Sequence, residues 1–220
     1  MERLACLAIG YVFGLFETSY IIGRLHGIDI RNYGSGNAGT TNMFRTLGKG
    51  WGAVTFLGDA FKAVFAALAA WLIFGKAYAD IWPLLCIYTG LGAILGHNFP
   101  FYLGFRGGKG IAATGGTIFA LNRPLCGLAI IGFCVGLFGT GYVSVGSLIV
   151  AGGFLIETIL FGQLGIFGMT QRYLNEMYLV VAVITCLAFY MHRGNLDRLR
   201  KGEERKAGFL DKSKKKQANG

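Results

Sequence analysis

The chain has 220 residues, of which 54% are hydrophobic and only 15% charged, with a net charge of +10 and a mean hydropathy of +0.52. A soluble domain carries about 25% charged residues, so this composition excludes one or two small soluble domains. Thirty-six glycines against three prolines, without a Gly-x-y period, exclude collagen and linker sequence and suit closely packed transmembrane helices.

A hydrocarbon core about 30 Å thick needs about 20 apolar residues as helix, and fewer where the helix is buried in protein. Residues 4–23 form the first such run, which contains Glu17. One basic residue precedes it and no small-residue cleavage pattern closes it before Arg24, so it is expected to persist as a helix, not a cleaved signal. The runs 51–74, 81–101 and 142–161 are equally clear, and 111–121, 125–138 and 177–191 are shorter candidates. The expected fold is therefore an all-α polytopic membrane bundle with seven crossings. A re-entrant hairpin over 111–138 would reduce the count to five and leave both termini on their sides. Five scattered cysteines, Cys6, Cys86, Cys126, Cys134 and Cys186, form no C-x-x-C pair and read as packing residues.

Charge orients the bundle. The loop 24–50 holds Arg24, Arg31, Arg45 and Lys49 against Asp29, and the turn near Gly107 holds Arg106 and Lys109. The tail 193–220 carries ten basic and four acidic residues, whereas the alternate segments are nearly neutral. The N-terminus is expected outside and the C-terminus in the cytoplasm. The lysine-rich segment 210–220 reads as a disordered basic end attracted to anionic lipid, not nucleic acid.

Three polar or glycine-rich segments then fall on the cytoplasmic side: G-S-G-N-A-G-T-T-N with Arg45 over 34–45, His97-Asn98 leading to Gly107-Gly108-Lys109-Gly110, and His192-Arg193-Gly194-Asn195. Their convergence suggests one site at the boundary of membrane and cytoplasm. In the first, small residues free the backbone for an anion-binding nest. Ser35, Asn37, Thr40, Thr41 and Asn42 add short donors, and Arg45 adds a planar fork for phosphate oxygens. A solvated loop with turn chemistry is the plainer reading, but the density of donors beside an arginine favours phosphate. Gly107, Gly108, Lys109 and Gly110 precede a helix start, another anion-binding arrangement. They are not a Walker A motif, because Gly110 stands where Ser or Thr is needed. His192 and Asn195, at i and i+3, share a face, and His97 either caps carbonyls or contacts phosphate. No histidines have metal-ligand spacing, so neither metal nor cofactor is expected. Asp59 and Lys62 inside the second span pair with each other, while Glu17 and Glu157 are expected to bond neighbouring helices without a chemical role.

The segments G-S-G-N-A-G-T-T-N-M-F-R (34–45), G-H-N-F-P-F-Y-L-G-F-R-G-G-K-G (96–110) and H-R-G-N-L-D-R-L-R-K-G-E-E (192–204) resemble the three motifs of the PlsY family, bacterial acyl-phosphate:glycerol-3-phosphate acyltransferases. L-G-D-A-F-K (57–62) resembles the family's second-span signature. The resemblance implies a seven-helix enzyme domain over 1–209 in the bacterial inner membrane, expected as a monomer, with its active site facing the cytoplasm. It would transfer an acyl group from acyl phosphate to the 1-hydroxyl of glycerol 3-phosphate, giving lysophosphatidic acid and phosphate. Ser35, Arg45, Lys109, His192 and Asn195 would hold glycerol 3-phosphate. Gly107–Gly110 with Asn37, Thr40, Thr41 and Asn42 would hold the donor phosphate, and Glu204 would be structural. Arg45, Lys109 and a His192 imidazolium would reduce repulsion between the two anions. His192 and Asp197 also spell H-x-x-x-x-D, but i, i+5 places them off a common helical face, so this pattern is coincidental. A transporter for an anionic solute is the competing class. No repeated half supports it, and its polar groups would lie at the midplane.

Overall fold

The computed structural model describes residues 1–207; the expected basic tail over 210–220 lies outside the described residues. The helices are α1 (Glu2–Gly14), α2 (Thr18–Leu25), α3 (Thr40–Thr46), α4 (Lys49–Phe74), α5 (Trp82–Asn98), α6 (Ile111–Leu121), α7 (Arg123–Thr140), α8 (Val143–Gln163), α9 (Gln171–Met191) and α10 (Arg193–Lys201). Six candidate spans among the described residues are long and apolar enough to cross a membrane; α6, of eleven residues, is shorter. Pro83 and Pro124 occupy first turns of α5 and α7, where a missing N–H does no harm. The Asn122 side chain accepts from Leu125 N–H at 3.2 Å and separates α6 from α7.

The first span departs from expectation. It is broken between α1 and α2, with Glu17 buried at the N-cap of α2. A break at membrane depth is tolerated when protein satisfies the freed backbone groups. Here the Tyr102 hydroxyl donates to Leu15 O at 2.7 Å, and Lys62 Nζ donates to Phe16 O at 2.8 Å.

Packing follows the rules of lipid. Between α1 and α5, Gly10 and Gly14 face Thr89 and Ala93, while Gly92 and Gly96 face Leu7 and Tyr11, and a Cβ on any of these glycines would collide with opposing backbone. Such close approach replaces the hydrophobic drive that lipid removes between helices. α5 is almost wholly buried, and its Leu84, Ile87 and Ile94 join Ile118, Leu125, Phe154, Met177 and Ile184 in the main core. Large apolar side chains point outward instead: Phe61, Phe65, Leu68 and Leu72 on α4, Ile130, Ile131 and Val135 on α7, and Ile156 and Leu160 on α8. This inverts the pattern of a soluble protein and is what a lipid-facing surface requires. Glu157, expected to bond a neighbouring helix, instead has a buried Oε2 without a hydrogen-bond partner among the described residues. At the end of the bundle remote from the glycine turn, Arg3 joins α1 to Glu176 of α9 (Nε–Oε1 2.5 Å), and Tyr88 of α5 donates to the same carboxylate at 2.9 Å.

Candidate active site

At the opposite end, a cleft of about 430 Å³ is lined by residues from all three segments singled out in the sequence. Ser35, Asn37, Thr40, Thr41, Asn42 and Arg45 border it from the first segment, His97, Lys109 and Gly110 from the second, and His192 and Asn195 from the third. Asp59 and Glu204 reach it as well.

The loop before α3 is held from within. Gly34 and Gly36 adopt φ of +61° and +70°, and a Cβ on Gly34 would strike Asn42 Oδ1. The Asn42 amide donates to Ile30 O and Tyr33 O, both at 3.0 Å, and accepts from Ser35 N–H at 2.8 Å. Its side chain therefore staples the loop, although the sequence suggested a phosphate donor. Thr40 Oγ1 is buried with no hydrogen-bond partner among the described residues. Arg45, in the last turn of α3, reaches Arg205 O at 3.4 Å. Burial, with Arg205 close by, pulls its guanidinium below the ordinary value while leaving it charged.

The glycine turn is pinned to the end of α5. Gly107 N–H donates to Asn98 O at 3.2 Å and Gly108 N–H to His97 O at 3.0 Å. Gly110, at φ +80°, then opens α6. The turn does not face the cleft as a whole, as the sequence had suggested. Gly108 lies against the His97 ring, and Gly107 borders a second cleft of about 470 Å³ with Arg31, Asn32, Gly36, Leu103, Gly104 and Arg106. Lys109 does face the main cleft, where its ammonium is hydrogen bonded to Asn195 Oδ1. Desolvation pushes the Lys109 pKa down to about 8 against the pull of Glu204, with Arg198 and Arg45 lowering it further.

His192 links α9 and α10, and its Nδ1 lies 2.8 Å from Ala188 O. A carbonyl only accepts, so Nδ1 carries the proton and Nε2 keeps its lone pair in the neutral ring. Desolvation, followed by the Lys109 charge, pushes the His192 pKa down to about 4. The ring is uncharged at neutral pH, which removes the imidazolium expected among the neutralising cations. Asn195 lies on the first turn of α10, with its N–H on His192 O at 2.8 Å. Glu204 fastens this region: its carboxylate accepts from Asn195 Nδ2 at 2.7 Å, Arg198 Nε at 2.7 Å and Ser144 Oγ at 3.1 Å. Burial works to raise its pKa, but the bonds from Asn195 and Arg198 hold it below the usual range. Asp197 does not line the cleft; its carboxylate pairs with Lys201 at 3.0 Å on the exposed side of α10.

Sequence reasoning missed Ser144, Ser147 and Arg198, all on the cleft wall. The two serines, i and i+3 at the start of an apolar span, carried a faint signal. Arg198 was hidden among the basic residues of α10. Lys62 does not line the cleft; it lies beneath it, bonded to Asp59 at 3.3 Å as expected and to Glu17 at 3.4 Å.

An all-helical membrane bundle with three arginines, a lysine and the neutral His192 around one terminal cleft defines an integral membrane protein built to handle anionic ligands. A family model described as glycerol-3-phosphate acyltransferase matches residues 4–202, and the chain belongs to that family. It is 40% identical over 203 residues to the glycerol-3-phosphate acyltransferase of Clostridioides difficile (strain 630), covering 91% of this chain and 93% of that relative. It is 37% identical over 207 residues to that of Aquifex aeolicus (strain VF5), covering 93% and 98%. The crystal structure of PlsY (YgiH), an integral membrane glycerol 3-phosphate acyltransferase, in its glycerol 3-phosphate form superposes with a TM-score of 0.82 at 31% identity, covering 96% of this chain and 98% of that one. The lysophosphatidic acid form superposes with a TM-score of 0.80 at 30% identity. The protein is thus an acyltransferase of phospholipid synthesis.

Proposed function

We propose that the chain transfers a fatty acyl group from acyl phosphate to the 1-hydroxyl of sn-glycerol 3-phosphate, releasing 1-acylglycerol 3-phosphate and phosphate. The observation that carries this reading is the pair of partly desolvated cations, Arg45 and Lys109, facing one cleft with an uncharged His192. Two anionic substrates need such neutralisation, and a mixed anhydride already activated needs positioning more than covalent attack. The acceptor hydroxyl oxygen attacks the acyl carbonyl carbon, the bond from that carbon to the bridging phosphate oxygen breaks, and the hydroxyl proton leaves with the phosphate. No acyl-enzyme forms. Ser35, Arg45, Lys109 and Asn195 hold the acceptor, and His192 Nε2 orients its hydroxyl. Asn37, Thr40, Thr41 and Gly110 hold the donor phosphate, with the acyl chain in an apolar groove. The acyltransferase domain is 1–209, acting as a monomer in the inner membrane with seven crossings and the cleft facing the cytoplasm.

The test is phosphate release by the purified protein in detergent, given glycerol 3-phosphate with palmitoyl phosphate or palmitoyl-CoA. Release is expected with the acyl phosphate alone, requiring glycerol 3-phosphate and falling about 10²-fold or more in Arg45→Ala, the scale of one lost transition-state donor. Product formed only from palmitoyl-CoA would overturn the donor assignment.

A further inference from the structure

Helix α10 ends in a turn that folds the following residues back against it. Gly202 adopts φ +72°, and the helix closes through Glu203 N–H on Arg198 O at 2.8 Å and Gly202 N–H on Leu199 O at 3.2 Å. Glu204 is thereby returned to the cleft wall, its side chain only 7% exposed. A carboxylate repels phosphate, so its presence in the wall of an anion site needs a reason. Its two oxygens supply one. Oε1 accepts from Asn195 Nδ2 and Ser144 Oγ, and Oε2 accepts from Arg198 Nε at 2.7 Å.

Arg198 follows Gly194 and Asn195 at i+4 and i+3, so the three share one face of α10. All three line the cleft. The Arg198 side chain leans back towards the start of the helix, the usual direction for a long helical side chain. Its Nη1 lies 3.6 Å from where a Cβ would stand on Gly194. Glu204 occupies only the Nε edge, and among the described residues neither Nη group makes a hydrogen bond. A carboxylate on one edge of a guanidinium leaves the two Nη groups as a fork of the kind that takes phosphate oxygens two at a time. Arg193 on the same helix differs, because its Nη1 donates to Tyr190 O at 3.0 Å and its guanidinium lies over the Tyr190 ring. The charge of Arg198 is felt across the cleft, where it helps to hold both Arg45 and Lys109 below their ordinary pKa values.

Charge balance points the same way. A phosphate monoester carries about −1.5 to −2 near neutral pH, so acceptor and donor together bring about three to four negative charges. Arg45 and Lys109 answer two of them. We propose that Arg198 is a further binding residue for glycerol 3-phosphate, its Nη fork taking oxygens of the acceptor's phosphate while Glu204 holds its other edge. This rests on the acceptor assignment above and not on the choice of donor. Asn195, which shares the Glu204 carboxylate, and Arg45 and Lys109, which feel the charge, all belong to the acceptor set.

The experiment titrates glycerol 3-phosphate alone into the full chain in detergent, by calorimetry, at several salt concentrations. Because no donor is present, failure of the donor assignment leaves the result untouched. A wild type that bound no glycerol 3-phosphate would remove the acceptor assignment, and this proposal with it. Arg198→Gln is expected to raise Kd about tenfold or more, the scale of a lost charge-assisted hydrogen bond. It is also expected to flatten the dependence of Kd on salt, since one cation has gone. Arg198→Lys keeps the charge without the fork. It is expected to restore the salt dependence and still bind about threefold more weakly than wild type. An unchanged Kd in Arg198→Gln would overturn the proposal. So would a raised Kd whose salt dependence runs parallel to that of the wild type, because a change of shape around a released Glu204 would act in that way. Should Arg198→Gln fail to purify as a folded species, Arg198→Lys decides, and wild-type affinity in that variant would overturn the fork.

Discussion

A lysine stripped of water and surrounded by arginines holds its proton less tightly than one in solution. Lys109 is such a residue, with its pKa near 8, so its charge is present below that pH and lost above it. The KM for glycerol 3-phosphate is therefore expected to rise once the pH passes about 8. Lys109→Arg, which cannot deprotonate in this range, is expected to remove that alkaline limb whatever its effect on kcat. An unchanged limb in Lys109→Arg would assign the titration to another group. His192, at about 4, contributes no titration across neutral pH, so any limb near 6 is expected to belong to the substrate phosphate and to persist in His192→Gln. The cations Arg45 and Lys109 were legible from sequence because a lone arginine or lysine beside glycines and short donors is unusual at a membrane edge. The protonation state of His192 was not legible, since burial and the distance to Lys109 decide it. Asn42 was misread for a related reason: its three partners, Ile30, Tyr33 and Ser35, are set by the fold of the loop.

Helix α1 illustrates how far the reading extends along an element. Its apolar run was plain, but the break before Glu17 was not, because Lys62 and Tyr102 lie 46 and 87 positions from the Phe16 and Leu15 carbonyls that they satisfy. Helices α6 to α8 were found near their expected limits because Asn122 and Gly141 interrupt the apolar runs between them, whereas α9 begins at Gln171, six residues before the expected start at 177. The contact of α1 with α5 rests on glycines, and its stability is expected to be sensitive to volume. Overpacking a tight contact costs about 1–3 kcal/mol, so Gly96→Leu, which would drive its side chain into Tyr11 and Gly14, should lower Tm in detergent. Gly152→Ala on α8, with open space at its Cβ, should leave Tm unchanged or raise it slightly. Equal effects of the two would refute backbone-to-backbone packing as the basis of the contact.

Taken together, the bundle separates its charges by end. The Arg3–Glu176 pair closes one end compactly, and the cleft with Arg45, Lys109, Arg193 and Arg198 occupies the other. The positive-inside rule predicts that this second end faces the cytoplasm. A cysteine placed at exposed Lys201 is expected to resist a membrane-impermeant thiol reagent in intact cells and to react after permeabilisation, and one at exposed Gln171 to do the reverse. The opposite pattern would invert the orientation. The apolar outer surface was the feature most legible in the sequence, because the chemistry of lipid sorts residue types more strictly than a soluble interior does.

The terminal position of the cleft has a kinetic meaning. Its polar wall opens at an end of a bundle whose flanks are greasy, so one reactant would arrive by diffusion through water and the other by diffusion in two dimensions, within the leaflet. For the second reactant, the quantity that governs the rate is not molarity but molecules per unit area of bilayer. A cell could then throttle the reaction by diluting the donor among other lipids, with no change in the amount of enzyme or in the total amount of donor.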